Sequence, residues 1–584
     1  MPSIDSPPTA IGCPIPANTP HAVSVTLPSW SATVAYEEGQ EWVVSKMKSG
    51  YPRFFYHELI QQLCALVASR YSNGDERSLI FPSYTVACQC REFVQRRTET
   101  KPTPQVRVVE ITIPGPGEAA ISIAAVLFPP SEAGVVKQFW QHTGDGISSR
   151  LAEYALAALQ AEPKMAAPAS RPNTLPRSFR RYARNIETEP AAEPVEAENE
   201  KSREFGTYLE ERFGRNLDTS FHRQAKVALR RRIAGTLDDS VDLSQVLQSE
   251  PQQSSRSANG LTEEDVFMYP CGMSAIYHAH QLLLAAFEPA KSVCFGFPYI
   301  DTLKILEKWG PGCVFYGRGE CDQLDELEAL LASGERIMAL FCEFPSNPLL
   351  KCADLDRISA LASKYNFLVV VDETIGNFLN IHVLDKCDIV VSSLTKIFSG
   401  DSNVMGGSLV LNPASPHYET LKKTLAATYE DNLFFEDAIF LERNSRDFAS
   451  RIVRVNTNAE ALADMLLANE LIKAVYYPKY GSTNKFYEAR KAENGGYGGL
   501  LSIEFHDPEH AVLFFDRVRA AKGPSLGTNF TLLCPYTILA HYLELDWAAQ
   551  YGVHKDLVRI SVGLEPTDEL VASFNETLKS LTAQ

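Results

Sequence analysis

The sequence predicts an α/β protein, and three features of the chain support this class. From Val266 onward, short apolar runs rich in β-branched residues alternate with helical patterns. This alternation is typical of a parallel or mixed sheet that is covered by helices on both faces. Residues 441–584 carry long helical patterns and two or three strand patterns, which predict a smaller α/β domain. Residues 71–260 differ from both in composition and form a region of their own.

Six apolar runs define the sheet of the central domain, which we place at residues 261–440. They are AKSVCFGF, GCVFYG, RIMALFCEF, FLVVVDET, CDIVVSSLT and GGSLVLN. Helical segments such as DQLDELEALLASG and ADLDRISALASKY separate most of these runs. Ligands of such sheets bind at the carboxyl ends of the strands, so the residues that follow the runs are the candidates for a functional site.

Residues 71–260 combine a small α+β module with a segment that we expect to be flexible. LIFPSYTVACQCREFVQRR predicts a strand, a turn and a helix, and VRVVEITI and AISIAAVLF predict two strands joined at a Gly-Pro turn. GVVKQFWQHTGDGISSRLAEYALAALQ predicts one helix. Residues 161–202 are rich in Pro, Ala and Glu and have few large apolar side chains, which predicts a linker. Residues 203–235 have helical spacing.

Composition and charge exclude several classes of partner. The 584 residues carry a formal net charge of −17, which argues against nucleic acid or an anionic membrane as the main partner. The 12 cysteines are scattered without metal-ligand spacing, so we expect no metal site and reduced thiols in a cytoplasmic protein. No stretch approaches the roughly 18 apolar residues of a membrane span.

Polar residues follow three of the predicted strands. Asp372 ends FLVVVDET, Lys396 follows Ser393 and Thr395 at the end of IVVSSLT, and Asn347 follows MALFCEF. An acid and a lysine on successive strands fit the chemistry of pyridoxal 5'-phosphate (PLP), because a carboxylate keeps the pyridine nitrogen protonated while a lysine forms an imine and moves protons. Hydroxyl groups beside the lysine are suited to bind phosphate. Taken alone, Asp372 is also explained as a strand-end cap and Lys396 as a solvent-facing lysine.

A family resemblance decides between these interpretations. SSLTKIFSGDSNVMGG resembles the S-x-T-K…G-H-x-D-x-x-G-G segment of the Cys/Met-metabolism PLP enzymes. Further matches follow the family's order, in PCGMSAIYHAH, FGFPYIDTLKILEKWG, CEFPSNP, VVVDETIGNF and LVRISVGLE. The resemblance covers about residues 21–70 and 261–580. It implies a large PLP-dependent, aspartate aminotransferase-like domain (fold type I), with residues 71–260 as an insertion. PHAVSVTLPSW, YEEGQEW and GPSLGTNF resemble the long fungal branch of the family.

The resemblance implies a role toward PLP for several residues. Lys396 would hold the cofactor, and Asp372 would contact the ring nitrogen. Tyr299 would stack on the pyridine ring and take part in catalysis. The backbone amides of Gly272 and Met273 would hold the phosphate at a helix start, which is a favourable place for an anion.

The resemblance also implies a substrate side. Arg559 would clamp the α-carboxylate, because a bidentate arginine suits a planar carboxylate. Asn347 would lie near the cofactor and substrate, and Ser525 and Thr531 would be further contacts on the carboxylate side.

The segment GYPRFFYHEL resembles a family segment that reaches from one subunit into the neighbour's site. Tyr51 and Arg53 would then contact the cofactor of a partner, although the family's Asn-Pro-Thr is missing. The resemblance therefore implies an N-terminal arm at residues 1–70 and a homodimer or homotetramer with shared active sites.

The resemblance implies γ-replacement on an O-acylhomoserine (O-acetyl or O-succinyl) by cysteine, which gives cystathionine in methionine biosynthesis. We assign it to the O-succinylhomoserine (thiol)-lyase type. Three departures affect specificity: Glu373 replaces the family's Asn, Asp401 replaces its His, and Phe530 replaces a glutamate associated with γ-acting enzymes. Sulfide or a carbon nucleophile, or a lyase reaction on cystathionine, therefore stays open. A rival of another class is a non-catalytic protein that binds a partner through the insertion and its basic cluster RSFRRYARN.

Overall fold

In the residues that it describes, the computed structural model has three sheets, and each sheet contributes buried side chains to at least one hydrophobic cluster. The residues that it describes are 10–47, 49–51, 54–99, 104–116, 120–161, 219–237, 242–256 and 258–582. The predicted linker at 161–202 and the cluster RSFRRYARN lie, apart from Ala161, outside these residues, as does the first part of the predicted helical segment 203–235. The α/β class is confirmed.

The first sheet belongs to a small module. Its antiparallel strands have the order β1-β3-β2 and are β1 (Arg77–Phe81), β2 (Arg107–Pro114) and β3 (Ala120–Phe128). Two short helices precede the module, α1 (Trp30–Glu37) and α2 (Glu41–Val44). The helices of the module are α3 (Glu58–Tyr71), α4 (Tyr84–Arg97), α5 (Ala133–Thr143) and α6 (Ser149–Ala161). Leu63 of α3 packs in the module core, so this helix joins the module rather than the rest of the arm.

The predicted single helix in GVVKQFWQHTGDGISSRLAEYALAALQ is wrong, because the structure has two helices there. Helix α5 ends at Gly144, which has a φ of +68° and so takes the left-handed conformation that glycine favours at a helix end. Gly146 leaves no room for a side chain, since a Cβ there would lie 2.2 Å from Nε1 of Trp140. The TGDG sequence therefore forms a loop, and this loop contacts the active site described below.

The central sheet has seven strands in the order β4-β10-β9-β8-β7-β5-β6. Strands β5 to β9 run parallel, and β10 and β4 are antiparallel to their neighbours. All six apolar runs of the sequence form strands. The strands are β4 (Val266–Tyr269), β5 (Lys291–Phe295), β6 (Cys313–Tyr316), β7 (Ile337–Glu343), β8 (Leu368–Asp372), β9 (Ile389–Ser393) and β10 (Gly407–Leu411).

Helices cover both faces of this sheet, as the alternating pattern predicts. They are α7 (His222–Ile233), α8 (Gly272–Ala286), α9 (Ile300–Lys308), α10 (Cys321–Ala332), α11 (Leu355–Tyr365), α12 (Tyr418–Thr428) and α13 (Phe435–Ser445). Helix α7 comes from the insertion and packs on α13, and Arg232 of α7 pairs with the buried Glu442 of α13. The insertion is thus attached to the central domain at more than one place.

The C-terminal domain contains a five-stranded sheet in the order β11-β12-β15-β14-β13, which is larger than the two or three strands expected. Its strands are β11 (Ile472–Tyr476), β12 (Leu500–Phe505), β13 (Ala521–Lys522), β14 (Leu532–Pro535) and β15 (Val558–Ser561). Its helices are α14 (Phe448–Leu467), α15 (Asn484–Glu488), α16 (Pro508–Arg517), α17 (Tyr536–His541), α18 (Leu545–Ala549) and α19 (Thr567–Thr582). In the described ranges, no helix is both long and apolar enough to cross a membrane.

Candidate active site

A cavity of about 440 Å³ opens at the carboxyl ends of the central parallel strands. Glu343, Asp372 and Ser393, which end β7, β8 and β9, all line it. Because these strands are neighbours and run in the same direction, their last residues meet at one edge of the sheet. The cavity size is typical of a small-molecule site.

Lys396 lies in the turn after β9 and reaches the cavity with its side chain. The residue is only 7% exposed, and its Nζ donates hydrogen bonds to Oη of Tyr51 (2.9 Å) and Oγ of Ser525 (3.1 Å). It forms no ion pair with any residue that the structure describes. A buried amine that is held only by hydroxyl groups is well placed to react with a carbonyl compound.

Asp372 faces the same cavity, and burial raises the pKa of its carboxyl above the usual range. Its Oδ1 accepts a hydrogen bond from the backbone N–H of Thr374 at 2.8 Å, which fixes the orientation of the carboxylate. A protonated pyridine nitrogen beside Asp372 would favour the charged form of this carboxylate.

The start of helix α8 forms the end of the cavity that is suited to phosphate. A Cβ at Gly272 would lie 2.6 Å from Cβ of Ser393, so only glycine lets the helix start approach the end of β9 so closely. Met273 and Thr395 line the cavity beside it. Free N–H groups of a first helical turn together with serine and threonine hydroxyls are a strong donor set for a phosphate group.

These residues fit PLP. Phosphate donors lie at one end of the cavity, and a lysine, a carboxylate and an aromatic ring, that of Tyr299, line the same space. Among the described residues, no group of three or more His, Cys, Asp or Glu side chains is arranged to hold a metal ion.

Arg559, on β15, lines the cavity from the C-terminal domain. The guanidinium is 6% exposed and donates to neutral acceptors, Oδ1 of Asn347 (3.1 Å) and the carbonyl oxygen of Ser525 (2.6 Å). It lies 4.8 Å from the ring centroid of Tyr536, and no described carboxylate pairs with it. A buried guanidinium without a counter-ion is costly, and a substrate carboxylate would supply the missing charge.

Glu343 is a site residue that the sequence reasoning missed. Its carboxylate accepts hydrogen bonds from the backbone N–H groups of Asn347 (2.9 Å) and Tyr299. It therefore holds two cavity segments in place. Burial, and then the charge of Asp372, raise the pKa of Glu343. Its position at the end of a predicted strand could have identified it as a site residue.

Thr531 is not among the residues that line the cavity, so the structure does not bring it to the other site residues. Its hydroxyl donates to Oε2 of Glu565 at 2.8 Å and accepts from the backbone N–H of Gly563. This bonding holds Thr531 in the C-terminal domain. Phe530 also does not line the cavity, so its ring does not shape the space for a nucleophile.

The other two departures from the family pattern have structural partners. Both carboxylate oxygens of the buried Glu373 accept hydrogen bonds from Nη2 of Arg256, at 2.6 and 2.8 Å. Arg256 comes from the insertion, so the insertion supplies the counter-ion of Glu373. Asp401 accepts from Nδ2 of Asn529 at 2.7 Å.

Within this chain, Tyr51 lies in the cavity, where its hydroxyl accepts a hydrogen bond from Nζ of Lys396. The preceding segment lies along the same chain, because Val23 N–H donates to the Ser402 carbonyl and Leu27 N–H donates to the Lys522 carbonyl, each at 2.9 Å. Arg53 lies outside the described residues.

The loop between α5 and α6 connects the insertion to the phosphate end of the cavity. The buried Asp145 accepts a hydrogen bond from Oγ of Ser274 and lies 2.9 Å from Nε2 of His278, and both residues belong to α8. The carbonyl of Gly144 accepts from Sγ of Cys271. The sequence reasoning assigned no chemistry to the insertion and missed this contact, because the TGDG loop was read as part of a helix.

Fold and cavity together define an α/β enzyme built to use PLP. The chain belongs to the family described as Cys/Met metabolism PLP-dependent enzymes, whose model matches residues 259–579. Residues 59–148 match the N-terminal domain of fungal trans-sulfuration enzymes, in agreement with the placement of α3 in the module.

Two relatives agree with this assignment, and a solved structure has a similar fold. The chain is 50% identical to a cystathionine gamma-synthase of Neurospora crassa, over 98% of both chains. It is 40% identical to a cystathionine gamma-synthase of Saccharomyces cerevisiae, over 97% of this chain and 98% of that one. The crystal structure of cystathionine gamma-lyase from yeast has a similar fold, with a TM-score of 0.50 and 24% identity, over 61% of this chain and 98% of that one.

Proposed function

We propose that this chain catalyses PLP-dependent γ-replacement, in which the thiol of cysteine displaces the acyloxy group of an O-acylhomoserine. The products are cystathionine and the free carboxylic acid. The observation that carries the proposal is Arg559, a buried cation in the same cavity as Lys396 for which the described residues supply no counter-ion. This arrangement suits an α-amino acid, whose carboxylate and amino group need a cation and a reactive centre side by side. The relatives named cystathionine gamma-synthase support the choice of reaction.

Each cavity residue has a role in this proposal. Bound PLP supplies the electron sink that makes the protons on Cα and Cβ of the substrate acidic. Asp372 would keep the ring nitrogen protonated, and Tyr299 would pack on the ring. Arg559 holds the α-carboxylate with two N–H groups, and Asn347 and Ser525 orient the guanidinium.

Lys396 moves the protons. Its amine takes the proton from Cα, loss of a Cβ proton lets the acyloxy group leave Cγ, and the cysteine thiolate then adds at Cγ. Protons return to Cβ and Cα. The hydroxyl of Tyr51, 2.9 Å from Nζ, orients this amine and can pass a proton to or from it.

The acyl group and the assembly are further parts of the proposal. We infer that the substrate ester is O-acetyl- or O-succinylhomoserine, and that the chain forms a homodimer or homotetramer. We further infer that each chain supplies its own Tyr51, which the contact with Lys396 in this chain supports. All 12 cysteines are free thiols, which supports a reducing, cytoplasmic location.

A product assay tests the reaction. Purified protein with PLP is given O-acetyl- or O-succinylhomoserine, with and without cysteine, and products are identified by mass spectrometry. We expect cystathionine with cysteine and 2-oxobutyrate without it. Formation of 2-oxobutyrate but no cystathionine would contradict cysteine as the nucleophile, and sulfide would then be compared. No conversion of either ester would favour the non-catalytic alternative.

A further inference from the structure

Six charged side chains line the cavity among the residues that the structure describes. Four of them already have roles: Lys396 and Asp372 toward PLP, Arg559 toward the first substrate, and Glu343 toward two backbone N–H groups. The remaining two are Glu37 and Lys137, which carry opposite charges.

Glu37 is the last residue of helix α1 in the N-terminal arm and is half-buried in the cavity wall. Burial raises the pKa of its carboxyl to about 7. No described lysine, arginine or histidine forms an ion pair with it. A carboxyl group in this position is suited to a cationic ligand, because the ligand would supply the charge that the protein does not.

Lys137 lies on α5 of the small module. It lines the cavity and is exposed, so it lies where the cavity meets solvent. It too forms no ion pair within the described part of the chain. A flexible lysine at the mouth of a cavity can attract a carboxylate and hold it on entry.

Cysteine brings one ammonium and one carboxylate group into a site where Arg559 is already engaged by the first amino acid. The glutamate that the family associates with γ-acting enzymes is replaced by Phe530, which lies outside the cavity. Recognition of the second amino acid must therefore come from other charged residues.

We propose that Glu37 and Lys137 form the binding subsite for the incoming cysteine, with Glu37 facing its ammonium group and Lys137 its carboxylate. This inference rests on the proposed function and adds the residues that select the nucleophile. The arm and the insertion would each supply one of the two charges.

The subsite is tested with the variants Glu37→Gln and Lys137→Gln. We expect kcat/KM for cysteine to fall about tenfold or more in each, because a charge-assisted hydrogen bond is lost. Formation of 2-oxobutyrate from the ester without thiol should stay within about twofold of wild type, since the first substrate does not use these residues. Matched controls are Glu41→Gln in the same arm and Lys423→Gln on α12, both exposed and outside the cavity.

Two cysteine analogues separate the two charges. Cysteamine lacks the carboxylate and 3-mercaptopropionate lacks the ammonium group, and their inhibition constants against cysteine are measured. Lys137→Gln should weaken 3-mercaptopropionate and leave cysteamine unchanged, whereas Glu37→Gln should weaken cysteamine and not 3-mercaptopropionate.

Several outcomes would overturn the subsite. One is an unchanged kcat/KM for cysteine in both variants, and another is a loss of the thiol-free reaction as large as the loss with cysteine. A third is an effect of Lys137→Gln that occurs with O-succinylhomoserine and not with O-acetylhomoserine, which would assign Lys137 to the leaving group. Failure of the wild-type protein to form cystathionine would instead contradict the proposed function itself.

Discussion

At the scale of single residues, Arg559 shows how burial and charge define a ligand. Its contacts to Asn347 and Ser525 fix the direction of the guanidinium, and neither neutralises it. A carboxylate that accepts two parallel N–H groups from an arginine is held by the opposite charge and by a fixed planar geometry. A lysine supplies the charge but not this geometry. The α-carboxylate of the first substrate is therefore expected to bind here.

The variant Arg559→Lys keeps the charge and removes the planar fork. We expect KM for O-acetylhomoserine to rise about tenfold to a hundredfold, measured as 2-oxobutyrate formation without thiol. The absorbance of bound PLP should stay as in wild type. Arg519→Lys, at an exposed position outside the cavity, is the control. A KM equal to that of the wild type would show that the carboxylate binds elsewhere.

Most of the cofactor side of the site could be predicted from the sequence. Asp372 and Lys396 follow recognisable strands, and parallel strands bring their ends together. Thr531 lies outside the cavity because its hydroxyl donates a hydrogen bond to Glu565, a long-range contact that local sequence does not reveal. Glu37 and Lys137 reach the cavity from the arm and the insertion, so no strand-end signal marks them.

At the scale of elements, the loop between α5 and α6 is the contact through which the insertion acts on the cofactor end of the cavity. Asp145 bonds with Ser274 and lies against His278, which are one helical turn apart on α8. A Cβ at Gly144 would lie 2.6 Å from the backbone nitrogen of Ser274, so the loop packs directly on the helix start. The insertion therefore helps to fix the N–H groups that would bind phosphate.

We predict that Asp145→Asn weakens PLP binding about tenfold, because it removes a charged acceptor from the first turns of α8. The dissociation constant of PLP, measured by fluorescence titration of the apoprotein, tests this effect. Asp75→Asn, at an exposed position of the same module, serves as the control. An unchanged dissociation constant would limit the loop to a role in folding.

Secondary structure was predictable where periodicity is strong, as in the six apolar runs of the central sheet. The segment around TGDG in the module is an exception. The helical spacing on both sides of TGDG is continuous enough to suggest one helix, but Gly144 takes a left-handed conformation that ends α5. Only two or three of the five strands of the C-terminal sheet were expected, because short strands such as β13 have little apolar periodicity of their own.

At the scale of the whole molecule, the arm, the module and the two α/β domains meet at one cavity within a single chain. Tyr51 and Glu37 come from the arm, Lys137 from the module, Lys396 from the central domain and Arg559 from the C-terminal domain. The family resemblance implies that Tyr51 serves a neighbouring subunit, whereas in this chain its hydroxyl accepts a hydrogen bond from Lys396. We predict that Tyr51 serves the site of its own chain in the assembly.

Mixed oligomers test this arrangement. Tyr51→Ala and Lys396→Ala chains with different tags are co-expressed and purified through both tags, after each variant alone is shown to be impaired. We expect no recovery of activity, since every site carries one of the two changes. If Tyr51 acted on a neighbour, a mixed dimer would contain one intact site and regain about half of the wild-type activity.

The most direct test of the account is the identity of the residue that binds PLP. The protein is incubated with PLP, reduced with borohydride, digested and analysed by peptide mass spectrometry, beside the Lys396→Ala variant. We predict a phosphopyridoxyl group on Lys396 and no comparable adduct on the variant. An adduct on another lysine, or none on the wild-type protein, would contradict the cavity around Lys396 as the site of PLP chemistry.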